Sequence, residues 1–545
     1  MSISWAHKKG IHPLIHQAKI ETPEHCVHDR TFMPTVFIQD YQRGPYSLLS
    51  DSEESLYNVP VPFPWLPGDT VNPNGSVIKR AIHKHILGIV DFRNRTSMGV
   101  TSRGVPLYLF HPFDRGYPPF IVGSKDKPAT NLICSVDFVS WEDTWPRGGI
   151  QSRLSAVGDP EGELTAIQLH PRILTPTFTL PHSASISTHK EVPWDTVLHI
   201  DPPGCEDVDD VIAYRTIGDS TEYAIGIADV AAWISEGTAL DVHAHMIAQT
   251  VYNKGLVHVP MFPTAISTGA ASLRNDGVSR PVIALVITVK PGAPVEFKWE
   301  QHKMTVTHSY TYESVLSDTP VCDRIHTLLC ALYGASRDDP HEWIERLMVE
   351  YNTRAANLLR SKGVGILRSH KGTACSEYEA LAIKTGIAEL AHFGKQAGVY
   401  CRSTDADVAH AGLGLVEYCH ASSPIRRYVD LVNQRWIKHL LFDAPKPVAP
   451  VSLLHLGLRA RVAKQMEADL WFRSHIAYDR ITEATGIVVE QTHDTRYAVY
   501  VPEWRRKLKG VSMVPLEPGS SVKVSIYIDK ANPRWYDRII CSLVV

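Results

Sequence analysis

Apolar and polar positions alternate in short runs over the first third of the chain, then give way to a helical period. Residues 35–38, 85–90 and 132–139 are β-type runs divided by Gly, Pro, Asn and Asp clusters, and Leu66-Pro67-Gly68-Asp69-Thr70-Val71 is a turn feeding a strand. The pattern predicts two small β-barrels at 30–83 and 84–180 behind an extension at 1–29, with one irregular β-domain as the alternative. From 190 to 480 strands are followed by amphipathic helices. Over 341–362, Ile344, Leu347, Met348, Tyr351, Ala355, Leu358 and Leu359 share one helical face. A second helix is predicted to start at Ser423, a hydroxyl N-cap followed by Pro424, and a third near 456–478. Strand runs return at 486–490, 496–501 and 521–528, which predicts a terminal barrel over 484–545.

The 545 residues correspond to about three to four globular units. With 44% hydrophobic and 21% charged residues, the chain is neither disordered nor collagen-like. A formal net charge of −3 leaves no global field for a polyanion, so a nucleic acid would have to be gripped locally. Nine cysteines without CxxC spacing argue against a disulfide framework or structural zinc and predict a reducing compartment. With no apolar leader and no bilayer-length apolar run, a soluble protein is expected, in the cytoplasm first or otherwise an organelle.

The chemistry concentrates in His199-Ile200-Asp201-Pro202-Pro203-Gly204-Cys205-Glu206-Asp207-Val208-Asp209-Asp210. Four aspartates this close repel strongly unless cations neutralise them, and a turn at Pro-Pro-Gly can bring Asp201 back beside Asp207, Asp209 and Asp210. Such hard oxygen ligands suit Mg²⁺ or Mn²⁺. A solvated acidic loop and a calcium loop are the competing readings, but the EF-hand glycine and closing glutamate are missing. Apolar residues on both flanks favour a buried turn. Paired ions there would activate a water and stabilise a leaving oxygen, and Arg426, in the first turn of the predicted helix, is the candidate phosphate contact, a surface ion pair being its alternative. Arg505, Arg506, Lys507 and Lys509 beside Trp504 have the mix of charge and π-surface suited to single-stranded RNA; a solvated basic loop would look alike.

Together these segments resemble the RNB family of exoribonucleases, the ribonuclease II, ribonuclease R and Dis3-type enzymes. His199–Asp210 is similar to the family's acidic signature, with a Pro-Pro-Gly-Cys filling closest to the Dis3 branch. Ile227-Ala228-Asp229-Val230, Gly237-Thr238-Ala239-Leu240-Asp241, Thr250-Val251-Tyr252, Val259-Pro260-Met261, Tyr310-Thr311-Tyr312-Glu313 and Ser423-Pro424-Ile425-Arg426-Arg427-Tyr428 follow in family order. Leu87-Gly88-Ile89-Val90, Trp145-Pro146-Arg147-Gly148 and Gly158-Asp159 resemble the second cold-shock barrel, and Gly486 onward resembles an S1 barrel. The implied fold is α+β and multidomain: an RNB catalytic domain at 190–480, a mixed sheet with helices, flanked by OB-fold barrels, two cold-shock-like and one S1-like.

The resemblance implies a magnesium-dependent 3′→5′ hydrolytic exoribonuclease that releases nucleoside 5′-monophosphates from single-stranded RNA. Asp201, Asp207 and Asp210, with Asp209, would hold Mg²⁺ or Mn²⁺, and Asp209 and Arg426 would be catalytic. Tyr252 and Tyr312 would stack on terminal bases, Glu345 would read ribose hydroxyls, and Ser423 and the Arg505-Arg506-Lys507 run would contact RNA. Gln434 stands where a histidine is common, and Ser422 where the family has Thr. The stretch between Ser369-His370 and Gly412 is short, which trims the channel. A monomer is expected, with a helicase or RNA-decay complex as further partners and neither membrane association nor exosome tethering through a PIN domain. The competing classes are an inactive RNB-fold protein that binds RNA without cutting it and a magnesium-dependent phosphatase for small molecules. The latter would not need the barrels.

Overall fold

The computed structural model describes residues 35–170 and 188–544, apart from 39–40, 42–45, 50–54, 60–63, 73–75, 82, 95–97, 143, 254–255, 373–375, 394–396 and 449–450. The extension expected at 1–29 lies outside the described residues. Two compact units emerge: one gathers the chain up to Ala166 with Ile476–Glu483 and Ser525–Ser542, the other holds Ile167–His475 with Ala484–Val524.

In the first unit, Thr35–Ile38, Tyr46–Leu49, Ser55–Val59, Thr70–Val71 and Val77–Lys79 form a five-stranded sheet rather than the closed barrel expected there. The next five strands, from Ile86–Val90 to Arg147–Ala156, do close. Inside it Phe92, Phe110, Phe120, Val122, Cys134 and Val136 are almost fully buried. Pro160–Leu169, expected as barrel, is a helix, and its buried Glu163 accepts a 2.6 Å hydrogen bond from Arg538. Later in the chain, and largely within the second unit, a second closed barrel is built from Thr482–His493, Arg496–Val501, Arg506–Val511, Ser521–Ile528 and Ile539–Val544.

The second unit is organised by a seven-stranded mixed sheet. Its spatial order is Lys190–Glu191, Glu296–Met304, Arg280–Val289, Ser220–Ala228, Asp210–Ile217, Thr196–Ile200, His308–Tyr310. Gly218, at φ +60°, opens the two-residue turn that pairs Ile217 with Ser220, a conformation most residues reach only with strain. Arg280–Val289 is buried along most of its length, as expected of a central strand covered on both faces. Against the sheet packs the helix Pro340–Ser361, started by Asp339, whose side chain accepts from the His341 and Glu342 amides, and by Pro340 at the first turn. Its buried face centres on Trp343, Leu347, Tyr351, Ala355 and Leu359, while Ile344, Met348 and Leu358 lie at the margin. The predicted stripe is correct in period and shares Leu347, Tyr351, Ala355 and Leu359 with the buried face, Trp343 replacing Ile344 at its start.

Burial also sets an acid limit on stability. His455 is pushed down to about 4 by burial and then by the neighbouring His245. His420 is held well below its ordinary value by burial, with Arg427, Arg368, Arg426 and His410 adding like charge, and its Nδ1 lies 3.1 Å from the Tyr400 hydroxyl. An imidazole depressed in the fold protonates first in the unfolded chain, so the unfolded state binds more protons below about pH 6.5 and stability drops as pH falls. We expect the urea midpoint to decrease steadily from pH 7 to pH 5 and His420→Gln to flatten that slope. An unchanged slope in the variant would remove His420 from the acid response.

Candidate functional site

The strand Thr196–Ile200 ends at Asp201, and the next strand begins at Asp210, so the acidic loop spans the gap between two paired strands at one sheet end. The loop is fastened from below: Ser272 Oγ accepts from the Val208 amide at 3.0 Å and donates to the Glu206 carbonyl at 2.7 Å. Asp207 and Asp209 are buried, as the apolar flanks predicted. Asp209 Oδ1 accepts from the Ile425 amide at 2.8 Å, while Oδ2 is buried without a hydrogen bond and faces Arg426 Nε at 3.5 Å. Burial raises the Asp209 carboxyl well above its usual range, and the pull of Arg426 does not offset it. Asp210 is pushed up to about 7, first by burial and then by the charge of Asp201.

The structure thus brings Asp201, Asp209, Asp210 and Arg426 into one electrostatic neighbourhood. Two of the aspartates have partners of their own: Asp201 Oδ2 lies 2.8 Å from His199 Nδ1, and Asp207 Oδ2 accepts from the Tyr252 hydroxyl at 2.5 Å. Among the described residues no three His, Cys, Asp or Glu side chains converge tightly enough to enclose an ion. The donor set nevertheless fits a hard divalent cation. Asp207 and Asp209 are buried like charges, and the Asp209 oxygen without a donor is what a cation would satisfy.

Arg426 reaches this place by a route other than the one predicted. The helix starts at Tyr428, not Ser423, and Ser423–Arg427 is a turn. The reason is competition for the groups a helix would pair: the Tyr428 amide donates to the Ala248 carbonyl and the Arg426 carbonyl accepts from Thr250 N, while the end amides Ile425 N and Ser423 N go to Asp209 and Asp430. Arg426 therefore stands just before the N-cap, Arg427, and not in the helix's first turn. Ser423 contributes by accepting from the Arg426 guanidinium at 2.9 Å.

The remaining expected residues divide. Tyr312 stacks on His341 with centroids 3.8 Å apart, and its phenol is raised by burial and then by the charges of Asp201 and Asp210. Glu345 is exposed one helical turn beyond His341, on the same side of that helix. Arg505, Arg506 and Lys507 lie apart from the carboxylates in their bonding. Arg506 pairs with Asp469 at 2.6 Å and Lys507 with Glu490 at 2.7 Å, and Arg505 sits 4.1 Å over the Trp471 ring. Trp504, expected to offer a stacking surface, is fully buried, so its π-face belongs to the core. Sequence reasoning missed Asp430, His341 and Trp471; a histidine or an aspartate inside a helical stretch carries no distinguishing local signal.

A family model described as "RNB domain" matches residues 191–319 and 317–443. The chain carries an RNB domain. Relatives of that domain include "Exoribonuclease 2" of Shigella flexneri, 26% identical over 53% of this chain and 57% of that protein. "Exosome complex exonuclease RRP44" of Mus musculus is 23% identical over 84% of this chain and 57% of its own length. The chain therefore spans little more than half the length of the curated relatives it matches. In fold, the chain resembles Mycoplasma genitalium RNase R solved in complex with ribose methylated single-stranded RNA (TM-score 0.67, 16% identity, 94% of this chain and 100% of that one). It also resembles yeast Ssd1, a pseudonuclease (TM-score 0.61, 14% identity, 90% and 70%). The RNB domain here holds all four aspartates and Arg426. Gln434 in the RNB domain is a satisfied buried amide, accepting from Ala231 N at 3.0 Å and donating to the Ala228 carbonyl at 2.8 Å. Among the described residues no helix is long and apolar enough to cross a membrane.

Proposed function

We propose that this protein is a 3′→5′ exoribonuclease that hydrolyses single-stranded RNA to nucleoside 5′-monophosphates. The observation that carries the reading is the buried Asp209 carboxylate, with one oxygen bonded to the turn of Arg426 and the other left without a donor. Asp201, Asp207, Asp209 and Asp210 would hold Mg²⁺ or Mn²⁺, which supplies a polarised water and neutralises charge on the leaving oxygen. Arg426 orients the phosphate of the final linkage through its fixed guanidinium fork. Tyr252 and Tyr312 offer aromatic faces to the terminal bases, a grip that tolerates any sequence. Glu345 would read ribose, and the OB-type barrels, of cold-shock and S1 kind, with the Arg505–Lys507 run would hold the upstream strand.

Degradation of a 5′-labelled single-stranded RNA tests this. With Mg²⁺ the label should move into short end products, and chelation should stop it. Full-length RNA retained in a stable complex would instead favour a binder that does not cut. The lack of convergence among the carboxylates and the likeness to the Ssd1 fold are what support that second reading.

Tyr252 separates two roles. Tyr252→Phe keeps the ring and deletes the bond to Asp207; turnover should fall about tenfold, with KM for RNA nearly unchanged. Tyr252→Ala should in addition raise KM about tenfold, as expected when base stacking is lost. Steady-state kinetics on a short oligonucleotide reads both, and equal kcat in Tyr252→Phe and wild type would confine Tyr252 to stacking.

A further inference from the structure

The turn that carries Arg426 is held from inside by a residue outside every motif named above. Asp430 lies in the first turn of the helix Tyr428–Leu441 and is completely buried. Its Oδ1 accepts from the Ser423 amide and from the Arg427 guanidinium, both at 2.8 Å, and its Oδ2 accepts from Arg427 Nε at 2.8 Å. The carboxylate therefore joins the two ends of Ser423–Arg427. Between those ends, Ile425 N is given to Asp209 and the Arg426 carbonyl to Thr250 N. The Arg426 guanidinium rests on Ser423 Oγ, so whatever fixes Ser423 fixes the direction of Arg426.

A buried carboxylate is costly unless its lone pairs are filled, and a two-pronged bond to arginine with a backbone amide fills them. The alternative for this stretch is the one its sequence favours, a helix begun at Ser423-Pro424. In that helix the Arg426 side chain would follow the helical cylinder instead of leaving the turn towards Asp209. We propose that Asp430 is a positioning residue which clamps the Ser423–Arg427 turn and so aims Arg426 at the scissile phosphate. This rests on the reading of Arg426 as the phosphate contact.

The test uses the full chain in four forms: wild type, Asp430→Asn, Arg426→Ala and the double variant. Turnover of labelled RNA is measured together with amide hydrogen exchange over 423–427. Asp430→Asn should lower kcat by up to about 10²-fold through misplacement of Arg426, with KM for RNA held within about threefold. In the Arg426→Ala background the same change should cost nothing further, and amides over 423–427 should exchange faster in Asp430→Asn. Unchanged exchange there, or a full additional loss of kcat in the double variant, would overturn the proposal. If the wild type leaves RNA intact, the reading of the activity fails, while the exchange result still decides whether Asp430 clamps the turn. Should Asp430→Asn not fold, Arg427→Lys, which keeps the charge and loses the fork, is read in the same way.

Discussion

Asp209→Asn should lower kcat by about 10²–10³-fold while leaving RNA affinity within about threefold of wild type. The substitution is nearly isosteric, and its carbonyl oxygen can still accept from the Ile425 amide, so the turn of Arg426 keeps its outer anchor. What disappears is the negative charge at the buried oxygen that has no donor. That charge is expensive in the free protein, because burial raises the carboxyl well above its usual range and neither Arg426 nor the Ile425 amide restores it. A group kept at such a cost acts on the reaction more than on stability. On the proposed reading affinity survives, because the strand would be held by aromatic faces and barrel surfaces and not by Asp209. Filter-binding and single-turnover cleavage on one oligonucleotide separate the two quantities. Wild-type turnover in the variant would exclude Asp209 from the mechanism, and parallel loss of affinity would make it part of the RNA grip.

Lys438→Ala should destabilise the protein by about 3–5 kcal/mol, among the largest single-site losses expected, without altering the carboxylate loop. Lys438 Nζ lies 2.5 Å from Asp229 Oδ2, and His189 Nε2 lies 2.8 Å from the same oxygen. Asp229 is fully shielded from water, and its other oxygen caps the short helix after it by accepting from Ala232 N at 3.0 Å. Burial pushes this carboxyl up, and Lys438 with His189 pulls it below its ordinary value on balance. Removing the lysine leaves a buried charge with a weaker partner. A depressed folded value means that Asp229 contributes stability above about pH 4 and loses it as pH falls further, so the gap between variant and wild type should narrow in acid. Guanidinium unfolding at pH 7 and pH 3 reads both statements; a loss under about 1 kcal/mol at pH 7 would show that water reaches Asp229.

What was legible in the chain is what depends on neighbours in sequence. The helical period over 341–362 and the β runs at 35–38, 86–90, 132–139, 486–490, 496–501 and 521–528 are local choices, and those elements form where the pattern places them. The family motifs also identified the domain, because the order of Asp201, Asp207, Asp209, Asp210 and Arg426 is itself a local record. The first barrel shows the limit: its β runs are present, but closure depends on pairing between distant strands, and the described ones form an open five-stranded order.

The site was decided by residues far apart in the chain. Ser423-Pro424 is a good helix start by itself, and it fails because Ala248 and Thr250, far earlier in the chain, take the Tyr428 amide and the Arg426 carbonyl that the helix would pair. Trp504 beside three basic residues has the composition of a stacking platform, yet its ring fills the interior, because indole area buried from water outweighs what exposure would give. The partner of Asp229 sits 209 positions away, and no spacing rule connects them. Sequence alone determined which side chains were available and which backbone shapes were cheap. Only the tertiary structure decided which amides and charges would be left over for those side chains to answer, because a buried polar group must be satisfied by whatever the fold carries to it.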